Sequence, residues 1–396
     1  MHISKRAGAV SGSITLEINA RANELKAQGE DVVSFGAGEP DFPTPSWIIE
    51  EAKAAMDRGE TRYTPASGTM KLKKAICGKL ERENGLHYAP DEIVVSNGAK
   101  HSLFNACMAI LDEGDEVIIP APYWVTYPEL VRMAGGVPVF VETKSENGYV
   151  MTAADFEAAI TPKTRALILN TPSNPCGAMY SEPQLAELAK IAIAHDLIVV
   201  SDEIYEALCY DGERQVSIAS LDGMRERTIV VNGLSKAYAM TGWRIGYTAA
   251  PREVTRVMAN YQSHATSNPN SIAQAAAVAA LNGPTDDLEA MVAEFQARRD
   301  LMIRMIEDTG VLTCTHPKGA FYIMVDISRC FGKQCGDTVI TDSMSFCQCL
   351  LDDRKVAVVP GKAFGADNCV RLSYATGRAN IEKGLSRIAA FVADLK

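Results

Sequence analysis

The chain has 396 residues, 47% of them hydrophobic and 22% charged, with a formal net charge of −10. That length exceeds one ordinary core and fits two domains, and the balance excludes disordered, fibrous and membrane-spanning classes. The acidic sum argues against a general nucleic-acid binder, although a cationic pocket inside an acidic shell stays compatible with anionic substrates.

The opening stretch MHISKRAGAVSGSITLEINA has no long apolar core behind its positive charges. It predicts neither a signal peptide nor a membrane anchor, and hence a soluble, cytoplasmic protein. From about residue 90, short apolar runs alternate with helical stretches, the pattern of an α/β fold with a largely parallel sheet. Strands are predicted over 92–96, 116–120, 166–170, 197–201 and 228–232. A helix is predicted over 184–195, where Leu185, Leu188, Ile191 and Ile193 recur at nearly helical spacing. After Pro269 a long helical region is expected over 271–308, its later half carrying one apolar stripe. Strands over 321–325, 356–359 and 370–373, mixed with two helices, then predict a smaller α+β domain. A long helix near residue 290 is expected to cross between the two.

Ten cysteines are scattered along the chain, several in apolar runs, such as Cys107 and Cys209. They read as buried free thiols in a reducing compartment. The tightest group, Cys330, Cys335, Cys347 and Cys349, lacks paired C-x-x-C knuckles. No metal site is predicted there, and no redox role is expected of it.

Four segments are candidates for chemistry. The first is VNGLSKAYAMTGWRIG (231–246), where Lys236 follows a buried strand in a loop of small residues. A structural or solvent-reaching lysine fits that position, and the G-x-x-x-x-G-K spacing of a P-loop is absent. A desolvated lysine there would have a depressed pKa and act as the nucleophilic amine that Schiff-base chemistry needs. The second is VVSDEIY (199–205), with Asp202 at the end of an apolar strand, where open α/β sheets hold their ligands. Asp202 reads either as a helix cap or as the partner of a protonated pyridine nitrogen in a cofactor, with Tyr205 placed to bond a ring hydroxyl. The third, NTPSNPCG (170–177), is a rigid turn on any reading, and it could aim the Asn174 amide at a cofactor oxygen. The fourth, VSNGAKH (95–101), leads a strand into a helix whose first N–H groups could cradle a phosphate, though such turns are common.

With four further motifs, these segments resemble the class I aminotransferases of pyridoxal phosphate (PLP) fold type I, most closely the bacterial branch of aspartate aminotransferases. The resemblance covers nearly the whole chain and follows the family's order. It includes FGAGEPDF (35–42), RYTPASG (62–68), SNGAKHSLFN (96–105), PYWVTYPE (122–129), NTPSNPCG (170–177), SDEIYE (201–206), the lysine segment and VRLSYA (370–375). It implies a large PLP-binding domain over 46–290, with a mostly parallel central sheet flanked by helices. A small α+β domain would be built from both termini, 1–45 and 291–396.

Residue by residue, the resemblance implies that Lys236 is the Schiff-base lysine and later the proton shuttle. Asp202 would pair with the pyridine nitrogen, Tyr205 and Asn174 would contact the ring hydroxyl, and Trp124 would stack on the ring. Gly98 and Ala99 would offer backbone N–H groups to the phosphate beside Lys100, with Ser235 and Arg244 adding side-chain contacts. Tyr63 would reach the phosphate of a neighbouring subunit, implying a homodimer with shared active sites. Arg371 would grip the substrate α-carboxylate in a two-pronged geometry, close to Trp124 and Asn174, with the backbone at Gly38 closing over it.

The activity implied is transfer of an amino group from an L-amino acid, L-aspartate first, to 2-oxoglutarate in a ping-pong mechanism. Lys100, or the segment 262–268 of the partner subunit, would read the side-chain carboxylate. That segment lacks the arginine that animal-type members use. Some bacterial members also accept prephenate and carry a lysine just before the segment matching 13–20. Here Val10-Ser11-Gly12 stands there, with Arg6 the nearest basic residue, which weakens the case for prephenate. Alanine- or aromatic-preferring enzymes and a C–S β-lyase are the rivals within the fold. A PLP-binding regulator would need an N-terminal DNA-binding domain, for which the roughly 30 residues before FGAGEPDF are too few. A dinucleotide-binding protein would need G-x-G-x-x-G after a strand, and Gly36-Ala37-Gly38 stops short.

Overall fold

A computed structural model describes every residue but Met1, Ala9 and Ser13, leaving aside the side chains of Lys5, Arg6, Ile14, Thr15, Leu16, Glu17 and Asn19. The Arg6 side chain, on which the comparison drawn above turns, is therefore among those left aside. The central feature is a seven-stranded sheet: β1 (Ile93–Ser96), β2 (Glu116–Ala121), β3 (Val137–Glu142), β4 (Thr164–Asn170), β5 (Ile198–Asp202), β6 (Thr228–Gly233) and β7 (Gly246–Ala249). The strand order is β1-β7-β6-β5-β4-β2-β3.

β7 runs antiparallel to both its neighbours, while the remaining pairs are parallel. Its direction follows from its connection. β6 and β7 are joined by the loop that carries Lys236, without the helical crossover that a parallel return requires. β1 and β6 are buried along their whole length, as strands covered on both faces must be. Val94, Val200, Ile229 and Val231 pack on one face in the same cluster as Leu103 and Ala106 of the helix Ala99–Ile110. Val199 and Leu167 pack on the other face against Leu185 and Leu188 of the helix Glu182–Ala194.

The second sheet has four antiparallel strands: β8 (Thr313–Cys314), β9 (Tyr322–Asp326), β10 (Val359–Pro360) and β11 (Cys369–Ser373). Their order is β10-β11-β9-β8. Helices Ser343–Arg354 and Arg378–Asp394 flank this sheet, and the helix Asp286–Glu307 packs along Arg378–Asp394. The N-terminal segment joins this part of the molecule, because Val33–Ser34 pairs in parallel with Val356–Ala357.

Three expectations change. The region 271–308 is two helices, Ser271–Asn282 and Asp286–Glu307. Gly283 and Pro284 break it, and Gly283 lies so close to the Trp47 ring that a Cβ would sit 2.3 Å from it. The expected strand over 356–359 divides into Val356–Ala357, which pairs with the N-terminal segment, and Val359–Pro360, which pairs with β11. β3 and β7 were not expected. β3 is the edge strand that tolerates Pro138, and β7 is a short run of mostly small residues. Among the described residues no helix is long and apolar enough to cross a membrane.

Candidate active site

The carboxyl ends of β4, β5 and β6 converge, as ligand-holding strands do in open α/β sheets. β5 ends in Asp202 and β6 runs into Leu234-Ser235-Lys236. β4 ends in Asn170, whose Nδ2 donates to the Asp202 carbonyl at 2.9 Å and whose Oδ1 accepts the Asn174 N–H at 2.8 Å. The turn after β4 thereby aims Asn174 back over the strand ends. Its Oδ1 accepts a hydrogen bond from Arg371 Nη1 at 3.0 Å. Arg371 belongs to β11, so this contact joins the two sheets across the cavity.

One cavity of about 530 Å³ is lined by Gly38, Ala99, Lys100, Trp124, Asn174, Asp202, Tyr205, Ser235, Lys236, Arg244 and Arg371. Tyr63 is elsewhere: it is 91% exposed. Gly98 stands just behind the lining as the N-cap of helix Ala99–Ile110, with φ +84°. Its N–H donates to the Ser96 carbonyl at 2.8 Å within the turn. Gly98 also leaves space for Arg244, since a Cβ would lie 2.3 Å from Arg244 Nη2. Gly246 does the same from β7, where a Cβ would meet the Ala99 nitrogen at 2.2 Å. Arg244 is held by the carbonyls of Thr241 at 2.9 Å and Asn97 at 3.3 Å. A guanidinium and the first N–H groups of a helix thus share one end of the cavity, an arrangement suited to a phosphate.

Lys236 donates from Nζ to the Gly38 carbonyl at 2.5 Å. Burial pushes its pKa down to about 8; Glu39 and Asp202 pull it back up, while Arg244 and Arg371 push further down. Roughly a tenth of the amine is therefore uncharged at pH 7, a far larger share than an ordinary lysine offers as nucleophile or proton acceptor.

Asp202 is 3% exposed, and burial pushes its carboxyl up to about 6. The Tyr127 hydroxyl, donating to Oδ2 at 2.7 Å, and the Ile204 N–H, donating to Oδ1 at 3.2 Å, hold it down, as does the charge of Lys236. Asp202 stays mostly ionised at pH 7 and can hold a cationic ring nitrogen.

Arg371 is 2% exposed, its guanidinium over the rings of Tyr322 at 4.4 Å and Phe364 at 5.0 Å. It donates to Asn174 Oδ1 and to the Gly36 carbonyl, its Nε has no partner, and among the described residues no carboxylate pairs with it. A buried, incompletely satisfied cation is costly, and here it opens on a cavity that a carboxylate can enter. On the far side Lys100 Nζ lies 5.0 Å from the Trp124 ring centroid. Burial and the charge of Arg244 lower the pKa of Lys100.

Three lining residues escaped the sequence reading. Tyr127 bonds Asp202, Tyr322 shares a 3.0 Å hydrogen bond with the Tyr205 hydroxyl, and Glu39 accepts from Thr241 Oγ1 at 2.6 Å while facing Lys236. Tyr127 follows Trp124 by three residues, but Trp124 lies before the helix Thr126–Met133, so no periodicity singles Tyr127 out. The segment 262–268 differs from the loop expected. The helix Arg252–Ala265 takes in its first four residues, and Gln262 is fully buried. The Gln262 amide donates to the carbonyls of Ala66 and Val95 and accepts from Asn105, so it is spent on holding the fold.

The sequence pattern of the family described as aminotransferase class I and II matches residues 30–388. An aspartate aminotransferase of Bacillus subtilis is 46% identical over 99% of both chains. An aspartate/prephenate aminotransferase of Cereibacter sphaeroides is 48% identical over 98% of this chain and 97% of its own. The crystal structure of the aspartate aminotransferase from Rhizobium meliloti superposes with a TM-score of 0.97, at 47% identity and full coverage of both chains. A lysine loop between β6 and β7, an aspartate at the end of β5 and a buried arginine facing both thus belong to a chain that is a member of the class I and II aminotransferase family.

Proposed function

We propose that this aminotransferase moves the amino group of L-aspartate to 2-oxoglutarate in two half-reactions, using pyridoxal phosphate held on Lys236. The observation that carries the reading is the placement of Lys236, Asp202 and Arg371 around one cavity, with burial pulling the Lys236 amine down towards neutrality while Asp202 stays mostly ionised.

The residues present fit the cofactor. The Ala99 helix start, Ser235 and Arg244 would hold its phosphate, Asp202 its ring nitrogen, Tyr205 and Asn174 its ring oxygen, and Trp124 its face. When bound it supplies an electron sink for the pair left as the substrate Cα–H bond breaks. The chain's own residues do the rest. Arg371 binds the α-carboxylate and fixes the substrate's orientation, so that the Cα–H bond, and no other, is presented. Lys236 Nζ, uncharged, takes the Cα proton and later hands it back. Lys100 meets the distal carboxylate of a dicarboxylic substrate. The names of the relatives favour aspartate, and one of them adds prephenate.

The parts assigned to the architecture belong to the same proposal. Residues 46–290 form the large domain, and 1–45 with 291–396 form the small one. The exposed Tyr63 completes the phosphate site of a second copy in a homodimer.

Purified protein should be yellow, and borohydride should fix the cofactor to Lys236 in a peptide map. A colourless protein that takes up no pyridoxal phosphate would sink the reading. A panel of amino acids with 2-oxoglutarate then ranks aspartate against prephenate, alanine and aromatic substrates. A C–S β-lyase would instead release ammonia and pyruvate without needing an acceptor.

A further inference from the structure

Two thiols on the C-terminal side of the chain play no part in aminotransfer. Cys335 lies on the short strand Gln334–Cys335, paired antiparallel with Thr338–Val339, and Cys349 lies on the helix Ser343–Arg354. The strand Thr338–Val339 packs against that helix. Cys335 pairs across the hairpin with Thr338 and packs against the same apolar cluster as Cys349, which brings the two thiols to one hairpin–helix contact.

The hairpin is pinned at its base. Gln334 exchanges backbone hydrogen bonds with Lys396 at 2.8 and 3.2 Å, and Ile340 does so with Gly332 at 2.8 Å and Lys333 at 2.9 Å. The two thiols are therefore held together by the fold. Cys349 is 7% exposed and Cys335 is partly exposed, so Cys335 is the more open residue of the pair.

We propose that Cys335 and Cys349 are a modification site, at which a peroxide converts the two thiols to a disulfide stapling the hairpin to the helix. Cys335 Sγ attacks hydrogen peroxide, the O–O bond breaks, and a sulfenic acid and one water result. Cys349 Sγ then attacks that sulfur, the S–S bond forms, and the sulfenic oxygen leaves with the remaining thiol proton as a second water. Two electrons pass from the thiols to the peroxide, and a dithiol reductant returns them by exchange. Burial and the neighbouring Cys335 hold the Cys349 thiol up at about 11, so the closing step quickens as pH rises. This is a role that the spacing of the cysteines alone did not suggest.

The test is to treat the intact protein with hydrogen peroxide, alkylate it, and map its peptides without reduction. The expected result is one cross-linked species joining Cys335 to Cys349. The free-thiol titre should fall from ten to eight and be restored by dithiothreitol. The oxidised protein should melt at a higher temperature, because the staple restricts the unfolded chain. Cys335→Ser and Cys349→Ser should each abolish both the cross-link and the shift. An unchanged titre, a cross-link to another cysteine, or over-oxidised Cys335 beside free Cys349 would each overturn the proposal. None of these readouts depends on turnover, so that failure would leave the aminotransferase reading standing.

Discussion

The Tyr127 hydroxyl donates to Asp202 Oδ2 at 2.7 Å while its ring meets Trp124 edge-on, centroids 5.4 Å apart and planes at 83°. One buried side chain thus touches both the carboxylate proposed to hold the cofactor's ring nitrogen and the indole proposed to cover its face. Tyr127 lies behind these two groups and acts through them.

Replacing Tyr127 with Phe should keep the edge contact and remove the donor. A hydrogen bond to a charged group is worth about 1.5–3 kcal/mol, so the Asp202 carboxyl should rise from about 6 by roughly one pH unit or more. The ionised fraction of Asp202 then falls around neutrality, and the acid limb of the pH–rate profile moves upward with it. Profiles of the two proteins measured side by side decide this. Coincident acid limbs would show that Tyr127 packs without tuning.

Arg371 faces a different test. Lysine keeps the charge and loses the two-pronged fork that matches a carboxylate. Arg371→Lys should raise KM for both the amino and the oxo acid and lower kcat/KM about 100-fold, on the order of 2.7 kcal/mol. The Asn174 contact at 3.0 Å would be lost with the fork. Steady-state kinetics in both half-reactions check it, and a loss confined to one substrate would contradict a shared α-carboxylate site.

Lys236 links pH to stability with a definite sign. Its folded pKa, about 8, lies below the ordinary value of 10.5, so between those values the unfolded chain binds the proton and the folded chain does not. Stability contributed by this group therefore rises with pH across that window. In cofactor-free protein, Lys236→Met should flatten the rise measured by denaturant titration at pH 8, 9 and 10. Equal slopes for the two proteins would mean that Lys236 is not desolvated as described.

What could be read from the sequence divides along physical lines. Strands buried on both faces leave continuous apolar runs, so β4, β5 and β6, and with them Asp202 and Lys236, were found to within a residue or two. The pairing of Val33–Ser34 with Val356–Ala357 leaves no local trace, because it joins segments more than 300 positions apart. The break at Gly283 and Pro284 was visible as punctuation, yet the alanine-rich run before it masked the end of the helix. Tyr127 and Tyr322 carry no sequence signal that marks them as site residues. Their roles rest on where each hydroxyl points, which only tertiary packing sets. Gly98 shows the opposite case: its place at the helix start is legible as a turn glycine, while its hydrogen bond to the Ser96 carbonyl is not.

The glycine itself makes the last prediction. At φ +84° a Cβ is strained, and it would collide with the Arg244 guanidinium at 2.3 Å. Gly98→Ala should destabilise the fold by about 1–3 kcal/mol through backbone strain. Because Arg244 is the far end of a flexible side chain, it can swing aside and so leave the phosphate end of the cavity. Affinity for pyridoxal phosphate, read by fluorescence titration of the apoprotein, should then fall about 10-fold, equivalent to roughly 1.4 kcal/mol. The effect on inorganic phosphate as a competitor should follow in parallel, since both would lose the same guanidinium. Melting temperature and affinity measured on one preparation separate the two effects. A variant that loses stability yet binds the cofactor as tightly as the parent would show that Arg244 is not part of the phosphate site.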